Sequence, residues 1–258
     1  LNTRTVKFAS HGYSVIPGLI CEQELAFARE LVTELVDRYR SGDPTALSVG
    51  ITIGDVSRQH PQRNPDIDPD RWRHEPFIIG DLIALEPRFA RLLSQKSIWT
   101  CVAELLECAS SDLLFHFCNL TRKPSEVDPA IGWHRDADNK YFASHDGRTL
   151  RLLIPLQFMS ARNGGTAVVP GSHIQTDTPV ETALYPDVAP GACLALHSAT
   201  LHGGSPNRSE QERDVIVIQF GLCSSTLRCQ ADETLSLATR EDLLAFYRGT
   251  VEKRIVNS

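Results

Sequence analysis

GACLALHSATLHGGSPNRSEQERDVIVIQFGL, residues 191–222, sets two compact apolar runs on either side of a polar, Gly-, Ser- and Pro-containing turn. Short runs of this kind, bounded by turn formers, read as β-strands rather than helices. The same grammar recurs upstream in GTAVVPGSH (165–173), LRLLIPLQFM (150–159) and LLFHFCNLT (113–121). Before Ser110 the pattern changes. Leu25, Ala28, Leu31, Val32, Leu35 and Val36 recur at three- and four-residue steps and so share one helical face, which Ser41-Gly42-Asp43-Pro44 should end. Helical periodicity returns from Asp81 to Leu106, and Arg240 to Val251 reads as a closing amphipathic helix. Helices in front and many short strands behind predict an α+β chain, mainly β, built on an antiparallel barrel or sandwich. The 258 residues are expected to form one domain: a helical part over about 20–108, a strand core over about 111–228 and a last helix over about 240–251.

Composition is that of an ordinary globular protein, 41% hydrophobic and 22% charged, with no internal repeat or low-complexity tract. A net charge of −6 and a pI near 5.8 leave no strongly basic face, so nucleic acid is not an expected partner. The seven cysteines (21, 101, 108, 118, 193, 223 and 229) form no C-x-x-C pair and no zinc-type spacing, which points to a reduced, cytoplasmic compartment. LNTRTVKFASHGYSV at the start lacks the long apolar stretch of a signal peptide, and no run is apolar enough to cross a bilayer, so no membrane is expected. The first residue is Leu1 rather than Met, which is compatible with trimming. Residues 43–76, including HPQRNPDIDPDRWRHEP, are polar, Pro-rich and too long for an ordinary connector; they read equally as a substrate lid or as a packed irregular excursion.

IGWHRDADNKYF (131–142) holds the only His-x-Asp of the chain, His134 and Asp136. On a strand, residues i and i+2 share a face, so the imidazole and the carboxylate can reach one cation. Alone the pair is as readily a chance surface contact. LHGGSPNRSEQERDVIVIQF (201–220) adds His202 in a Gly-rich turn and Arg213 at the mouth of an apolar strand, where an arginine needs an anion. Two imidazoles and one carboxylate make a facial triad with open positions, the arrangement used by non-haem Fe(II) to activate oxygen; a structural zinc site closes with four protein ligands, and only three candidates are found. A bidentate co-substrate fills two open positions with its distal carboxylate on the fork of Arg213, leaving the third for O2.

Rival residues carry blander readings. His197 competes with His202, but the end of GACLALH suits a strand residue beside the site, and the Gly-Gly flank and arginine spacing favour His202. His173 reads as a turn histidine, His116 as a satisfied core histidine and His145 as a loop residue; Asp138 repeats the spacing to Asp136 without further ligands. Arg208, inside SPNRSE, reads as solvated. Arg148 and Arg151 flank RLLIPLQ and read no less readily as surface charges than as contacts to an acidic substrate.

These stretches resemble the phytanoyl-CoA dioxygenase-like family of iron and 2-oxoglutarate oxygenases. FASHGYSVIPGLICEQELAFARELV looks like its opening strand and helix, GWHRDAD like its metal strand, RNGGTAVVPGSH like its Asn-Gly turn and Pro-Gly-Ser-His, and His202 with an arginine eleven residues on like its closing motif. The resemblance runs roughly from Phe8 to Phe220. It implies a double-stranded β-helix (jelly-roll) core with flanking helices, iron held by His134, Asp136 and His202, and 2-oxoglutarate held by Arg213. It also places polar co-substrate contacts at Thr121 and, by strand parity, at Asn119. An aromatic that some members place beside the co-substrate is here Leu153. The implied reaction oxidises a small, biosynthetic molecule with release of succinate and CO2, and the carboxylate at Asp136 favours hydroxylation, desaturation or rearrangement over halogenation. The alternatives are a jelly-roll isomerase or epimerase that needs no 2-oxoglutarate, or a non-catalytic binder.

Overall fold

The computed structural model describes residues 3–42, 53–58, 67–125 and 130–256. In chain order, α1 (Thr3–His11), β1 (Tyr13–Ile16) and α2 (Glu22–Arg40) are followed by β2 (Ile53–Asp55) and β3 (Pro76–Ile79). Three helices come next: α3 (Leu82–Leu85), α4 (Phe89–Leu93) and α5 (Lys96–Leu106). The strand-rich part holds β4 (Leu113–Lys123), β5 (Ile131–His134), β6 (Phe142–Ser144), β7 (Leu150–Pro155), β8 (Thr166–Val168), β9 (Cys193–His197), β10 (His202–Gly204), β11 (Arg213–Leu222) and β12 (Leu227–Gln230). α6 (Arg240–Val256) closes the described chain.

A seven-stranded sheet runs β1-β9-β7-β11-β4-β3-β2, a three-stranded sheet runs β5-β10-β8, and β12 pairs β6; every pairing is antiparallel. This is the α+β, mainly β, jelly-roll arrangement. Both faces of the large sheet are buried, which explains why VIVIQF reads as a continuous apolar run and not as alternation. Ile216, Ile218 and Phe220 of β11, with Leu150, Leu152 and Ile154 of β7, pack into a core shared with α2, α4 and α5. Val215 and Leu153, one residue out of step, join Val168, Leu194 and Leu196 on the inner face, between the two sheets. Side-chain alternation alone makes this division. Each fully buried aliphatic side chain contributes about 1.5–3 kcal/mol.

The expected face of α2 is confirmed: Leu25, Ala28, Leu31, Val32, Leu35 and Val36 are all buried. The helix ends at Ser41, whose N–H returns to the Asp37 carbonyl, and Gly42 takes the left-handed φ of 75° that favours glycine after a helix. α1 has no counterpart in the sequence reading. Of the excursion 43–76, residues 43–52 and 59–66 lie outside the described residues. Its described parts divide: around β2, Asp55 accepts from the Tyr39 hydroxyl at 2.9 Å, Val56 is buried and β2 pairs with β3, whereas Asp68 to Arg71, Arg73 and His74 are exposed. Among the described residues no helix is long and apolar enough to cross a membrane.

Candidate active site

β10 lies against β5 with His202 directly opposite His134, which brings two histidines 68 positions apart in the chain to a ring separation of 4.3 Å. Asp136 arrives differently from the expected strand alternation. β5 stops at His134, and Asp136 opens a tight 3-10 turn, Asp136–Asp138, that folds its side chain back toward both rings. Oδ1 lies 3.6 Å from His134 Nε2 and Oδ2 lies 3.7 Å from His202 Nε2. One donor atom from each of the three falls within 4.8 Å of the others.

The ring nitrogens are oriented for a cation. His134 Nδ1 is 2.8 Å from the Gly132 carbonyl and His202 Nδ1 is 2.9 Å from the Thr200 carbonyl. A carbonyl only accepts, so each Nδ1 carries the proton, and each neutral ring presents its Nε2 lone pair inward. Asp136 is buried, yet neither carboxylate oxygen has a hydrogen-bond partner. Arg151 NH1 stands 2.7 Å from Oδ1 as a charge partner without hydrogen-bond alignment. Burial would raise the Asp136 pKa, but Arg151 first, then His202 and His134, hold it at about 2. Burial alone would depress His134, but Asp136, too distant for a hydrogen bond and acting by charge, and the Gly132 carbonyl outweigh it, so its pKa is raised. His202 sits deeper, and there burial wins and lowers it. Two imidazole nitrogens and one orphaned carboxylate fit a borderline divalent metal, and no fourth His, Cys, Asp or Glu joins them among the described residues.

The triad opens into a cavity of ≈ 190 Å³ between the sheets, lined among others by Asn119, Thr121, Leu153, Tyr141 and Arg213. Arg213 is 3% exposed. Its Nε donates to the Asn163 carbonyl at 3.1 Å and NH1 faces Met159 Sδ at 3.8 Å; no carboxylate pairs with it among the described residues. Burial lowers its pKa to about 10. The Asn-Gly turn explains this placement. Asn163 Oδ1 accepts from the Ser160 N–H at 2.8 Å, and Gly164, at φ 76°, leaves space that a Cβ would take from Lys123 Cδ at 2.7 Å. Thr121 and Asn119 face the same cavity, and Asn119 Oδ1 also accepts from the Asp81 N–H at 3.2 Å.

The rivals lie elsewhere. His197 packs against His173 with ring centres 5.2 Å apart, and His116 is stacked on Phe142. His173 Nε2 bonds the Ala9 carbonyl, and Asp138, His145 and Arg208 are exposed. The surface reading fails for Arg151, which is buried and lines the cavity, while Arg148 reaches the Leu106 carbonyl. The reading of Arg213 as an arginine in an apolar strand applies word for word to Arg151 in LRLLIP and would have found it. Lys123 was also passed over. It shares the parity of Asn119 and Thr121, pairs in register with Arg213, and is buried with its Nζ on the Ser205 carbonyl.

Residues 8–215 match the family profile described as phytanoyl-CoA dioxygenase (PhyH). The chain belongs to this family. The dioxygenase PeniF of Penicillium patulum is 30% identical over 91 residues, 34% of this chain and 29% of that protein, so the aligned part spans under a third of that relative. In fold, the chain is similar to EctD from S. alaskensis with bound Fe (TM-score 0.70, 21% identity, 93% of this chain and 86% of that one). It is also similar to SnoK, a non-heme alpha ketoglutarate dependent carbocyclase from nogalamycin biosynthesis (TM-score 0.68, 15% identity, 89% of this chain and 87% of that one).

Proposed function

We propose that this chain is a non-haem Fe(II)/2-oxoglutarate-dependent oxygenase that hydroxylates, desaturates or rearranges a small biosynthetic molecule. The observation that carries the proposal is the convergence of His134, Asp136 and His202 on one point in a cavity that also holds a buried arginine with no acid partner among the described residues. His134 and His202 give Nε2 lone pairs and Asp136 gives an oxygen. Arg213 takes the distal carboxylate of 2-oxoglutarate, with Thr121 and Asn119 as further polar contacts. When bound, Fe(II) and 2-oxoglutarate supply the oxidant from O2, with succinate and CO2 released. The apolar walls, Leu153, Val215 and Val217, exclude water from the reacting atoms. Tyr141 and Ile78 line the cavity and are exposed, so they mark its mouth.

Substrate size follows from the space. A cavity of ≈ 190 Å³, part of which 2-oxoglutarate takes, is smaller than the roughly 300–1,000 Å³ usual for ligand pockets, so the substrate enters it with its reacting end and projects through the mouth. EctD has been crystallised with 2-oxoglutarate and 5-hydroxyectoine, and SnoK acts in nogalamycin biosynthesis, both in keeping with a small specialised substrate. The remaining parts of the reading are a single domain, supported by an apolar core that reaches from Phe8 to Leu243, and a cytoplasmic location, which rests on the spacing of the seven cysteines. The net charge of −6 supports a partner that is not nucleic acid.

The test is succinate formation from 2-oxoglutarate by the purified chain under air with ferrous ion, in the presence and absence of candidate substrates. Wild type is expected to form succinate slowly alone and faster with a substrate, and His202→Ala to form none. Equal succinate from both proteins, or none under any condition while Co(II) still binds, overturns the proposal.

A further inference from the structure

The large sheet buries another arginine whose surroundings are built with unusual completeness. Arg151 on β7 stands opposite Gln219 of β11. Its Nε donates to Gln219 Oε1 at 3.1 Å, its NH2 donates to the Tyr141 hydroxyl at 2.7 Å, and its NH1 stands 2.7 Å from Asp136 Oδ1. The rings of Phe117 and Tyr141 lie 5.2 and 5.7 Å from the guanidinium carbon. Gln219 is itself fixed: Nε2 donates to the Phe142 carbonyl at 3.2 Å and to His116 Nδ1 at 3.1 Å. Since the amide nitrogen only donates, His116 accepts through Nδ1 and is neutral. A buried chain therefore runs from His116 through Gln219 and Arg151 to Asp136, and each member is placed by the one before it.

We infer that Arg151 is a positioning residue for the Asp136 carboxylate: it engages Oδ1 and turns Oδ2 toward His202, so that the acid offers one donor atom at a fixed angle between the two histidines. The inference rests on the reading of His134, Asp136 and His202 as metal ligands. A carboxylate with no hydrogen bond of its own is free to rotate about its Cβ–Cγ bond, and a buried one needs a counter-charge before any cation arrives. Arg151 meets both needs at once. Only a planar fork serves Gln219, Tyr141 and Asp136 from Nε, NH2 and NH1 together; the point charge of a lysine does not. Partners of this kind, one step behind the ligands, typically set metal affinity by about 10–100-fold.

The experiment is titration with Co(II) alone, followed by visible absorption, on wild type, Arg151→Met, Arg151→Lys and His202→Ala. Arg151→Met is expected to weaken Co(II) binding by about 10–100-fold and to change the shape of the absorption bands. Arg151→Lys, which keeps the charge but not the fork, is expected to recover part of the affinity without recovering the bands. Wild-type affinity and bands in both arginine variants overturn the inference, and so does tighter binding by Arg151→Met, which makes the arginine a competing cation. If Arg151→Met does not fold, Arg151→Lys decides alone, and wild-type bands there overturn it. His202→Ala separates the two levels: if it loses Co(II) while the arginine variants bind normally, only the role of Arg151 falls, whereas if it binds as wild type does, the ligand reading falls and this inference with it.

Discussion

Arg122 and Arg213 sit at the same end of the β4–β11 ladder, each nearly sealed from solvent at 2% and 3% exposure, and they live in opposite electrostatic worlds. Arg122 NH1 lies 2.9 Å from both oxygens of Asp214, its Nε donates to Glu75 at 3.1 Å, and its NH2 meets Glu212. Burial works to lower its pKa, but these acids outweigh it and the net shift is upward. Arg213, one pleat away on the other face, has only a carbonyl and a sulfur, and its pKa falls. A buried charge that the chain itself neutralises is part of the framework. One that the chain leaves short of an acid and sets in a cavity wall is, on the function proposed above, part of a binding site.

The contrast breaks most visibly at Arg213. Arg213→Met is expected to raise the KM for 2-oxoglutarate by about 10³-fold, from the loss of two charge-assisted hydrogen bonds totalling about 4 kcal/mol, with no loss of thermal stability. A fall in melting temperature with KM unchanged would move Arg213 into the framework. The mirror experiment is Arg122→Met, which strands Asp214 and Glu75 in the interior. It should cost about 3–5 kcal/mol in urea unfolding and leave the KM within about 3-fold, since no part of Arg122 lines the cavity.

A neutral buried group sharpens the comparison. Burial pushes the His116 pKa down to about 4 from an ordinary value of 6.5. Between those two values the unfolded chain takes up a proton that the fold refuses, so stability rises with pH across that window and is lost on acidification from about 6.5 toward 4. The contribution is on the order of 3 kcal/mol. His116→Asn should flatten the dependence of unfolding free energy on pH in that interval; an unchanged slope assigns the acid sensitivity to other groups. The smallest effect belongs to Thr121. Thr121→Val removes one hydroxyl hydrogen bond to 2-oxoglutarate, about 1.5 kcal/mol, and is expected to raise the 2-oxoglutarate KM by about 10-fold; a change as large as that at Arg213 makes Thr121 a principal anchor.

The central strands were legible because two-sided burial gives unbroken apolar runs, as in RDVIVIQFGL, and because turn formers bracket them. β6 and β12 were not: they are three and four residues long, and β12 is partly exposed along its length, so they carry too few residues to establish a period, whereas β5 was read as a strand through its His-x-Asp and its resemblance to the metal strand. The convergence of His134, Asp136 and His202 was readable from residue type and spacing, although Asp136 is delivered by a turn rather than by the pleat. Arg151 was left between a surface charge and a substrate contact although LRLLIP carries the same signal as the strand of Arg213; what no local pattern announces is its link to Asp136, which depends on Gln219 and Tyr141, partners 68 and 10 positions away.

The division of labour across β11 has a corollary for how this chain tolerates change. Its two faces are held apart only by the parity of position, so substitutions at Val215 or Val217 can reshape the chamber while Ile216 and Ile218 keep their grip on the helical layer. Insertion of one residue into that strand would exchange the two sets wholesale, thrusting greasy side chains among His134, Asp136 and His202 and a guanidinium against the helices. At Val215 and Val217 the strand thus admits single replacements, but it does not admit a shift in frame.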